Sequence, residues 1–398
     1  MTVSDRSNLS NPSTVADVAI VGAGPAGSRA AYVLARAGAR VTLFDPSHPR
    51  EKACGGGVTG RALQLVADAI PASGWPATVV RSARFIDSVR GRSAVVPLDD
   101  QDDGDALRVG SRASFDAALL DAAERAGARL ERSRVLDVTV ERDHVRLETS
   151  DGPRCAAFVI GADGANSLVR RRVSQAFRRD QLSIATGYFA RGVTSDEIVL
   201  ELLSDPPGYI WSFPRPDHLA IGVCGQADAG VSVGKLREIT ASWIARSRIA
   251  GDARLDPYSW PIPSLNARDF ECLQLAGPRW CLIGDAAGLV DPITREGIYF
   301  AIASGQWAAD AFIANNPSLY AQRINEEVVP DLASAARLKA GFFRPAFAGL
   351  VVRALHQSGA IRAVMADLIA GRQSYAGLKS RLLRTWEWRL AARLLLRI

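Results

Sequence analysis

The chain has 398 residues, of which 48% are apolar and 23% charged. This composition is typical of a globular protein with two or three domains. Its five cysteines are scattered and odd in number, and its four histidines lie far apart. These spacings argue against a disulfide framework and against a metal site, and they favour a reducing compartment. We expect no metal and a cytoplasmic location.

The net charge of +6 is unevenly distributed, because residues 321–398 carry 13 Lys or Arg and only 5 Asp or Glu. Such a basic surplus suits an anionic membrane surface or a phosphorylated substrate. No nucleic-acid motif is present, so we expect no nucleic-acid partner. Residues 1–15 are polar and predict a mobile arm rather than a signal peptide. No apolar run approaches the roughly 20 residues of a membrane span, so any membrane contact is expected to be peripheral, at the inner face.

The clearest motif lies in residues 16–57. A buried strand (Ala16–Val21) leads into the loop Gly22-Ala-Gly-Pro-Ala-Gly27, a helix to about Gly38, and a second strand (Val41–Phe44) that ends on Asp45. A GxGxxG loop between strand and helix, followed about 20 residues later by an acid, is typical of a dinucleotide site.

Each glycine of this loop has a predicted task. Gly22 makes the tight turn, Gly24 lets the backbone approach a pyrophosphate, and Gly27 lets helix and strand pack closely. The phosphates would lie against the helix start, which includes Pro25 and Ala26.

The later segments predict a discontinuous nucleotide-binding domain. Val80–Val96 and residues 184–225 alternate like antiparallel strands, whereas Val233–Ser247 and the stretch from about Glu296 to Ile313 have helical periodicity. The predicted fold class is α/β: a discontinuous Rossmann-like domain, an inserted antiparallel β-sheet domain and a C-terminal helical region. The predicted boundaries are an arm at 1–15, the nucleotide-binding domain at 16–75, 107–175 and 271–318, the inserted domain at 76–106 and 176–270, and the helical region at 319–398.

Three further segments narrow the choice of dinucleotide. Asp163 lies in the turn Gly161-Ala-Asp-Gly164, Gly284 and Asp285 follow a short buried strand, and Arg112 begins a helix. With the glycine loop, this order resembles the FAD-dependent oxidoreductases with the fold of aromatic hydroxylases, over residues 16–315. The resemblance implies FAD as the tightly held cofactor and an inserted domain that binds substrate. It assigns Gly22, Gly24, Gly27, Asp45 and Arg112 to the adenosine diphosphate half, Asp285 to the ribityl–pyrophosphate region, and Asp163 to the cofactor's edge.

Two segments resemble the geranylgeranyl reductases within that group. Lys52-Ala-Cys-Gly-Gly-Gly57 is similar to their KxCGG stretch, and Pro206–Pro214 matches their PxxYxWxFP pattern at every defined position. Residues 291–298 resemble their loop beneath the flavin, except that Arg295 occupies a position that is usually glycine.

The residues of these segments suggest specific roles. Tyr209, Trp211 and Phe213 alternate along a strand and share one face, so they either form a wall for an apolar polyene or are core aromatics. Cys54 is either a weak acid near the reactive carbon or a small buried hydrophobe. Gly55, Gly56 and Gly57 would let the backbone approach a flat ring or a prenyl chain. Gly297 and Ile298, at a helix start, would direct N–H groups to the pyrimidine side of the reduced flavin.

The C-terminal region leaves two interpretations open. Leu383, Trp386, Leu390 and Leu394 share a helical face flanked by Arg381, Arg384, Arg389 and Arg393. This helix either contacts a membrane surface or docks on its own domain. Similarly, Phe342, Phe343 and Phe347 either close the substrate pocket or pack in the core.

The sequence therefore predicts an FAD-dependent reductase of prenyl double bonds that serves isoprenoid or lipid biosynthesis. NADPH or a reduced ferredoxin-like protein would supply electrons, Tyr209 or water the proton, and the substrate would be a prenyl diphosphate or prenyl lipid. Alternatives are an FAD-dependent monooxygenase acting on an aromatic or polyketide substrate, a flavin halogenase, and a membrane-docked electron carrier or redox-neutral flavoprotein.

Overall fold

The computed structural model describes residues 16–71, 73–98 and 106–385. Its strands are β1 (Ala16–Val21), β2 (Val41–Phe44), β3 (Gly57–Val58), β4 (Ala77–Val79), β5 (Ser82–Asp87), β6 (Arg92–Pro97), β7 (Arg108–Gly110), β8 (Arg129–Glu131), β9 (Val135–Val140), β10 (Val145–Thr149), β11 (Gly152–Gly161), β12 (Leu182–Arg191), β13 (Glu197–Ser204), β14 (Pro207–Pro214), β15 (His218–Gln226), β16 (Arg254–Pro263), β17 (Ala276–Gly277) and β18 (Trp280–Leu282). Its helices are α1 (Pro25–Arg36), α2 (Gly60–Gln64), α3 (Arg112–Arg125), α4 (Leu168–Val173), α5 (Val233–Ser247), α6 (Ala267–Glu271), α7 (Gly284–Ala287), α8 (Ile298–Ile313), α9 (Ser318–Glu327), α10 (Val329–Phe342), α11 (Pro345–Gln357), α12 (Gly359–Ile369) and α13 (Tyr375–Leu383).

The first sheet combines distant parts of the chain. In the described residues it has eight strands, with the central order β17-β18-β11-β1-β2-β8 and with β10 and β9 added beside β11. The strands β1, β2, β8, β11 and β18 pair in parallel. Such strands are buried on both faces and read as continuous apolar runs, which is why β1 and β2 were predictable to the residue.

Helices α1 and α8 pack against each other beside this sheet. Their contact depends on Gly305, because a Cβ there would lie 2.4 Å from the carbonyl oxygen of Ala26. Helix α8 begins at Ile298, two residues later than predicted. The preceding loop is held by Asp291, whose Oδ1 accepts the N–H groups of Ile293 (2.7 Å) and Thr294 (3.0 Å).

The second sheet has seven described strands in the order β16-β12-β15-β14-β13-β5-β6. Its pairs are antiparallel except for β13 and β5, which are parallel. The inserted sheet was predicted to be antiparallel, and this one pair departs from that arrangement because β5–β6 and β12–β16 come from two separate segments of the chain. Helix α5 packs against β12 and β15, while α11 and α12 pack on β5, β6 and β13.

The α/β fold with a divided Rossmann-like sheet, an inserted sheet and C-terminal helices is confirmed. In a small third sheet, β7 pairs with both β3 and β4. The domain limits stay predictions. Phe342, Phe343 and Phe347 are packed among core residues, and Phe342 also lines the cavity described below.

The predicted amphipathic helix of the tail is described only in part. Helix α13 ends at Leu383, and Trp386, Arg389, Leu390, Arg393 and Leu394 lie outside the described residues. Among the residues that are described, no helix has both the length and the apolar character needed to cross a membrane.

Candidate active site

One cavity of about 830 Å³ extends from the carboxyl ends of β1, β2 and β11 to the face of the second sheet. Most of the residues that sequence analysis selected line it: Gly22, Gly24, Pro25, Ala26, Asp45, Cys54, Gly55, Gly56, Arg112, Asp163, Tyr209, Trp211, Phe213, Asp285, Gly297 and Ile298. Gly27 and Gly284 are not among the lining residues. The cavity therefore joins the dinucleotide fingerprints to the aromatic strand in one continuous space.

The glycine loop fits a dinucleotide pyrophosphate. A Cβ at Gly22 would lie 2.4 Å from Ala162 O, and one at Gly27 would lie 2.0 Å from Gly22 O. Protein packing thus requires both glycines. Gly24 differs, because its φ of −70° suits any residue and a Cβ would meet only His48 ring atoms at 3.9 Å and 4.0 Å. The missing side chain of Gly24 leaves space beside the start of α1 that a phosphate group can occupy.

Asp45 is held firmly against this loop. Its carboxylate accepts N–H groups from Ala23 (3.1 Å), Ser47 (2.9 Å) and His48 (2.9 Å). Burial acts to raise the pKa of Asp45, but these hydrogen bonds and the nearby imidazole bring it below its ordinary value. The side chain is therefore an ionised acceptor, as a ribose hydroxyl requires.

His48, which the sequence presents as an isolated histidine, lies on the cavity wall. Its Nε2 lies 2.8 Å from Asp116 Oδ2, and Arg112 donates to both oxygens of Asp116 at 2.9 Å and 2.8 Å. Burial acts to raise the pKa of Asp116, but Arg112 together with His48 brings it below its ordinary value. The contact joins residues 68 positions apart, so no local signal could have revealed it.

Two predicted cofactor residues have protein partners for their polar atoms. Arg112 forms the bidentate pair with Asp116 just described. Asp163 accepts the hydroxyl of Ser167 (2.5 Å) and the N–H groups of Leu168 (2.6 Å) and Val169 (3.1 Å), and burial raises its pKa. Asp163 therefore anchors the start of α4 while lining the cavity.

Asp285 forms an ion pair that sequence analysis did not single out. Lys52 Nζ lies 2.8 Å from Asp285 Oδ2, so the KxCGG segment reaches the third fingerprint directly. Gly297 lies beside the same carboxylate, because a Cβ there would be 3.4 Å from Asp285 Oδ1. The start of α8 and a lysine–carboxylate pair thus lie at the same part of the cavity.

The run Gly55–Gly57 is required by contacts within the protein. A Cβ at Gly55 would lie 2.9 Å from the Phe213 ring, and one at Gly57 would lie 3.2 Å from it. Gly56 has φ of +88° and lies against Gly110 O. These glycines make room for Phe213 and the neighbouring backbone. They also line the cavity, and their approach to a flat ring or a prenyl chain stays a prediction.

Arg215, which directly follows the PxxYxWxFP segment, fastens the same run. It is fully buried, and its guanidinium donates to Glu51 Oε1 (2.8 Å), Cys54 O (2.8 Å) and Gly55 O (3.4 Å). Glu51 also accepts the Ser111 hydroxyl at 2.5 Å, next to the start of α3. Burial acts to raise the pKa of Glu51, and Arg215 together with that hydroxyl brings it below its ordinary value. Arg215 thus links the second sheet to both cofactor segments.

The aromatic strand faces the cavity as its alternation predicted. The rings of Tyr209 and Trp211 lie 5.5 Å apart, and the Tyr209 hydroxyl donates to Thr294 O at 2.6 Å. Burial raises the pKa of Tyr209 well above its ordinary value, so it keeps its proton. Cys54 Sγ accepts the N–H of Gly56 at 3.4 Å and lines the same space.

The unusual arginine of the flavin loop adopts a left-handed backbone conformation. Arg295 has φ of +62°, which glycine adopts at little cost and other residues adopt rarely. The geometry therefore suits the glycine that the family resemblance leads us to expect at this position. The next residue, Glu296, contacts Thr59 and Arg61, and burial raises its pKa despite the Arg61 charge.

Comparison with known proteins agrees with this geometry. A family model described as an FAD binding domain matches residues 15–312. Curated relatives include the geranylgeranyl diphosphate reductase of Rhodobacter capsulatus, 33% identical over 75% of each chain. The chain belongs to the geranylgeranyl reductase family of FAD-dependent oxidoreductases.

Other relatives are named for different substrates. The menaquinone reductase of Mycolicibacterium smegmatis is 30% identical over 77% of this chain and 78% of its own. The digeranylgeranylglycerophospholipid reductase of Methanothrix thermoacetophila is 30% identical over 82% and 88%.

Solved structures show the same fold. A geranylgeranyl bacteriochlorophyll reductase-like protein of Thermoplasma acidophilum superposes with a TM-score of 0.78 and 24% identity, covering 94% of this chain and 99% of its own. A flavin-dependent brominase reaches 0.71 with 21% identity, covering 93% and 99%. The same fold thus occurs in proteins with different names, so the fold alone does not identify the reaction.

Proposed function

We propose that this enzyme saturates carbon–carbon double bonds of a prenyl chain. When bound and reduced, FAD supplies the hydride for one alkene carbon, and the other alkene carbon takes up a proton. The observation that carries the proposal is that the cofactor fingerprints and an apolar wall line one cavity. NADPH or a ferredoxin-like protein is the proposed source of electrons, and the inner membrane face the proposed place of action.

The far part of the cavity is suited to a long hydrocarbon. It is lined by Phe85, Ile198, Leu200, Phe342, Met365 and Ile369, beyond the aromatic strand. An isolated alkene has no carbonyl for the protein to polarise, so binding depends on burial, worth about 25 cal/mol per Å² of apolar surface. The wall also excludes water and aligns the chain.

Cys54 is the proposed proton donor, and Tyr209 a positioning residue. Both line the cavity. Because the Tyr209 proton is already donated to Thr294 O and its pKa is raised, Tyr209 is a poor acid at neutral pH. Its hydroxyl instead ties β14 to the loop before α8.

The second candidate is oxygen-dependent chemistry, hydroxylation or halogenation, which the likeness to the brominase favours. Flavin halogenases have a Trp-x-Trp-x-Ile-Pro segment. Here the corresponding residues are Tyr209, Trp211, Phe213 and Pro214, so only the second tryptophan and the proline match. This difference favours the reductase.

The deciding experiment is anaerobic. Dithionite-reduced holoenzyme is mixed with geranylgeranyl diphosphate, and flavin reoxidation is followed by absorbance while products are analysed by mass spectrometry. We expect reoxidation with a gain of two hydrogens for each double bond. Product that forms only with oxygen, or reoxidation without a saturated product, would overturn the proposal.

The same assay separates Cys54 from Tyr209. We expect Cys54→Ala to slow reoxidation about 100-fold, the usual contribution of a positioned acid. Tyr209→Phe should slow it by less than about tenfold, because a hydrogen bond to one carbonyl is lost. Equal small effects would show that solvent provides the proton.

A further inference from the structure

Two cations converge on one hydroxyl at the edge of the cavity. Ser264, just after β16, accepts hydrogen bonds from Arg295 Nη1 and from Lys339 Nζ (3.1 Å). Its own proton goes to Gln226 Oε1 at 3.0 Å, and Lys339 also donates to that oxygen at 3.2 Å. The hydroxyl and the amide oxygen are therefore fully used, and both cations retain further N–H groups.

These cations are not neutralised by the protein. In the part of the chain that the structure describes, neither Arg295 nor Lys339 has a carboxylate ion-pair partner. Asp228 and Asp269 act on Lys339 only through space. Two like charges kept together and partly buried are costly without a counter-charge, so such clusters are frequent at binding sites.

Arg295 connects this pair to the cavity. Arg295 is a lining residue, and its Nε is buried without a hydrogen-bond partner. Lys339 lies one turn from Phe342 on α10, and Phe342 lines the apolar part of the cavity. Arg295 therefore lines the cavity itself, and Lys339 lies on the helix that also contributes Phe342 to its wall.

The backbone conformation makes an arginine costly at this position. The position of Arg295 is left-handed, a conformation that favours glycine. Retaining arginine there costs free energy that its contact with Ser264 alone hardly offsets, because a typical hydrogen bond contributes only about 1 kcal/mol.

We propose that Arg295 and Lys339 form a binding subsite for the phosphate or diphosphate head group of the prenyl substrate. Arginine provides a planar fork and lysine a point charge, a combination suited to a phosphate oxyanion. The inference rests on the proposed prenyl reduction and makes it specific, because it selects anionic head groups over neutral quinones.

The test measures binding to FAD-saturated holoenzyme by calorimetry. The ligands are geranylgeranyl diphosphate, the uncharged alcohol geranylgeraniol, menaquinone, and micelles of digeranylgeranylglycerophosphate. Wild-type enzyme should bind the diphosphate at least about tenfold more tightly than the alcohol, as charge-assisted hydrogen bonds predict. Tighter binding of geranylgeranyl diphosphate would identify a free prenyl diphosphate as the substrate. Tighter binding of digeranylgeranylglycerophosphate would identify a glycerolipid.

Two variants and two matched controls locate the effect. Arg295→Gly and Lys339→Met should each weaken diphosphate binding about tenfold or more and leave geranylgeraniol binding unchanged. Arg248→Gly removes an exposed arginine with φ of +54°, and Lys379→Met removes an exposed lysine; neither should change binding. Arg295→Gly removes backbone strain, so it should fold.

Failure of the subsite is distinguishable from failure of the proposed function. If saturation of the prenyl chain proceeds but Arg295→Gly keeps the preference for diphosphate, the subsite is disproved and the reductase is retained. If no prenyl compound reoxidises the flavin, yet inorganic diphosphate binds in an Arg295-dependent way, the reductase is disproved and the anion site is retained. Tight binding of menaquinone that ignores both variants would also overturn the subsite.

Discussion

The cofactor half and the substrate half of the cavity are built by different means. Around the dinucleotide loop, the wall consists of backbone, glycines and buried ion pairs held by short sequence segments. Around the aromatic strand, it consists of side chains from β5, β13, β14, α10 and α12, which the fold brings together. Where the backbone must approach a cofactor closely, the sequence needs glycines at fixed positions, and these form a local motif. An apolar wall needs only apolar side chains from several elements, which leave no such motif.

The largest expected effect comes from two glycines of the dinucleotide loop, which separate the needs of folding from those of cofactor binding. Gly27→Ala should lower the free energy of unfolding by about 3 kcal/mol or more, because the new Cβ would overlap backbone. Gly24→Ala should leave that free energy unchanged and weaken FAD binding about 100-fold, because only the phosphate space is filled. Urea unfolding and flavin fluorescence titration measure the two quantities. If Gly24→Ala also lowered the free energy of unfolding, glycine at this position would be needed for folding rather than for FAD binding.

Arg215 tests whether the two halves depend on each other. Arg215→Met should lower the free energy of unfolding by about 2–3 kcal/mol, since it leaves the Glu51 carboxylate unpaired; Glu51 is 30% exposed, which limits the cost. Adding Glu51→Gln should restore part of the loss.

The control for Arg215 is Arg84→Met in the same sheet. Arg84 is 41% exposed in its pair with Glu197, so the change should cost less than about 1 kcal/mol. Equal losses in the two single variants would show that the bridge between the halves contributes no special stability.

The smallest expected effect concerns Lys339 and pH. Burial first, and then the charge of Arg295, lower the pKa of Lys339 to about 8. The unfolded chain keeps that proton up to about 10.4, so between these values the unfolded state binds more protons. The free energy of unfolding should therefore rise as the pH increases from 8 to 10.

Lys339→Met should abolish that rise and add about 1–2 kcal/mol at pH 7. Urea unfolding of both proteins in phosphate-free buffer from pH 7 to 10 measures it, with Lys379→Met as the control. Parallel curves for wild type and Lys339→Met would show that the lysine is not destabilised in the folded state.

The features that could be predicted from the sequence are the local ones, and those that could not are contacts between distant segments. The strands β1 and β2 and the helix Val233–Ser247 were predicted to the residue, because their apolar periodicity is local. The parallel pairing of β13 with β5 was not, since it joins segments more than 100 residues apart. At the site, most of the residues that the motifs singled out line the cavity. The partners His48, Lys52 and Arg215 were missed because each contact is long-range.

The interlocking of Gly55 and Gly57 with the ring of Phe213 has an evolutionary consequence. A larger residue at either glycine would collide with that ring, and a smaller residue in place of the ring would leave a void above the glycines. The two signature motifs should therefore change together or not at all among descendants of a common ancestor. In a distant homologue, a larger residue in place of either glycine should therefore occur together with a smaller residue in place of the phenylalanine.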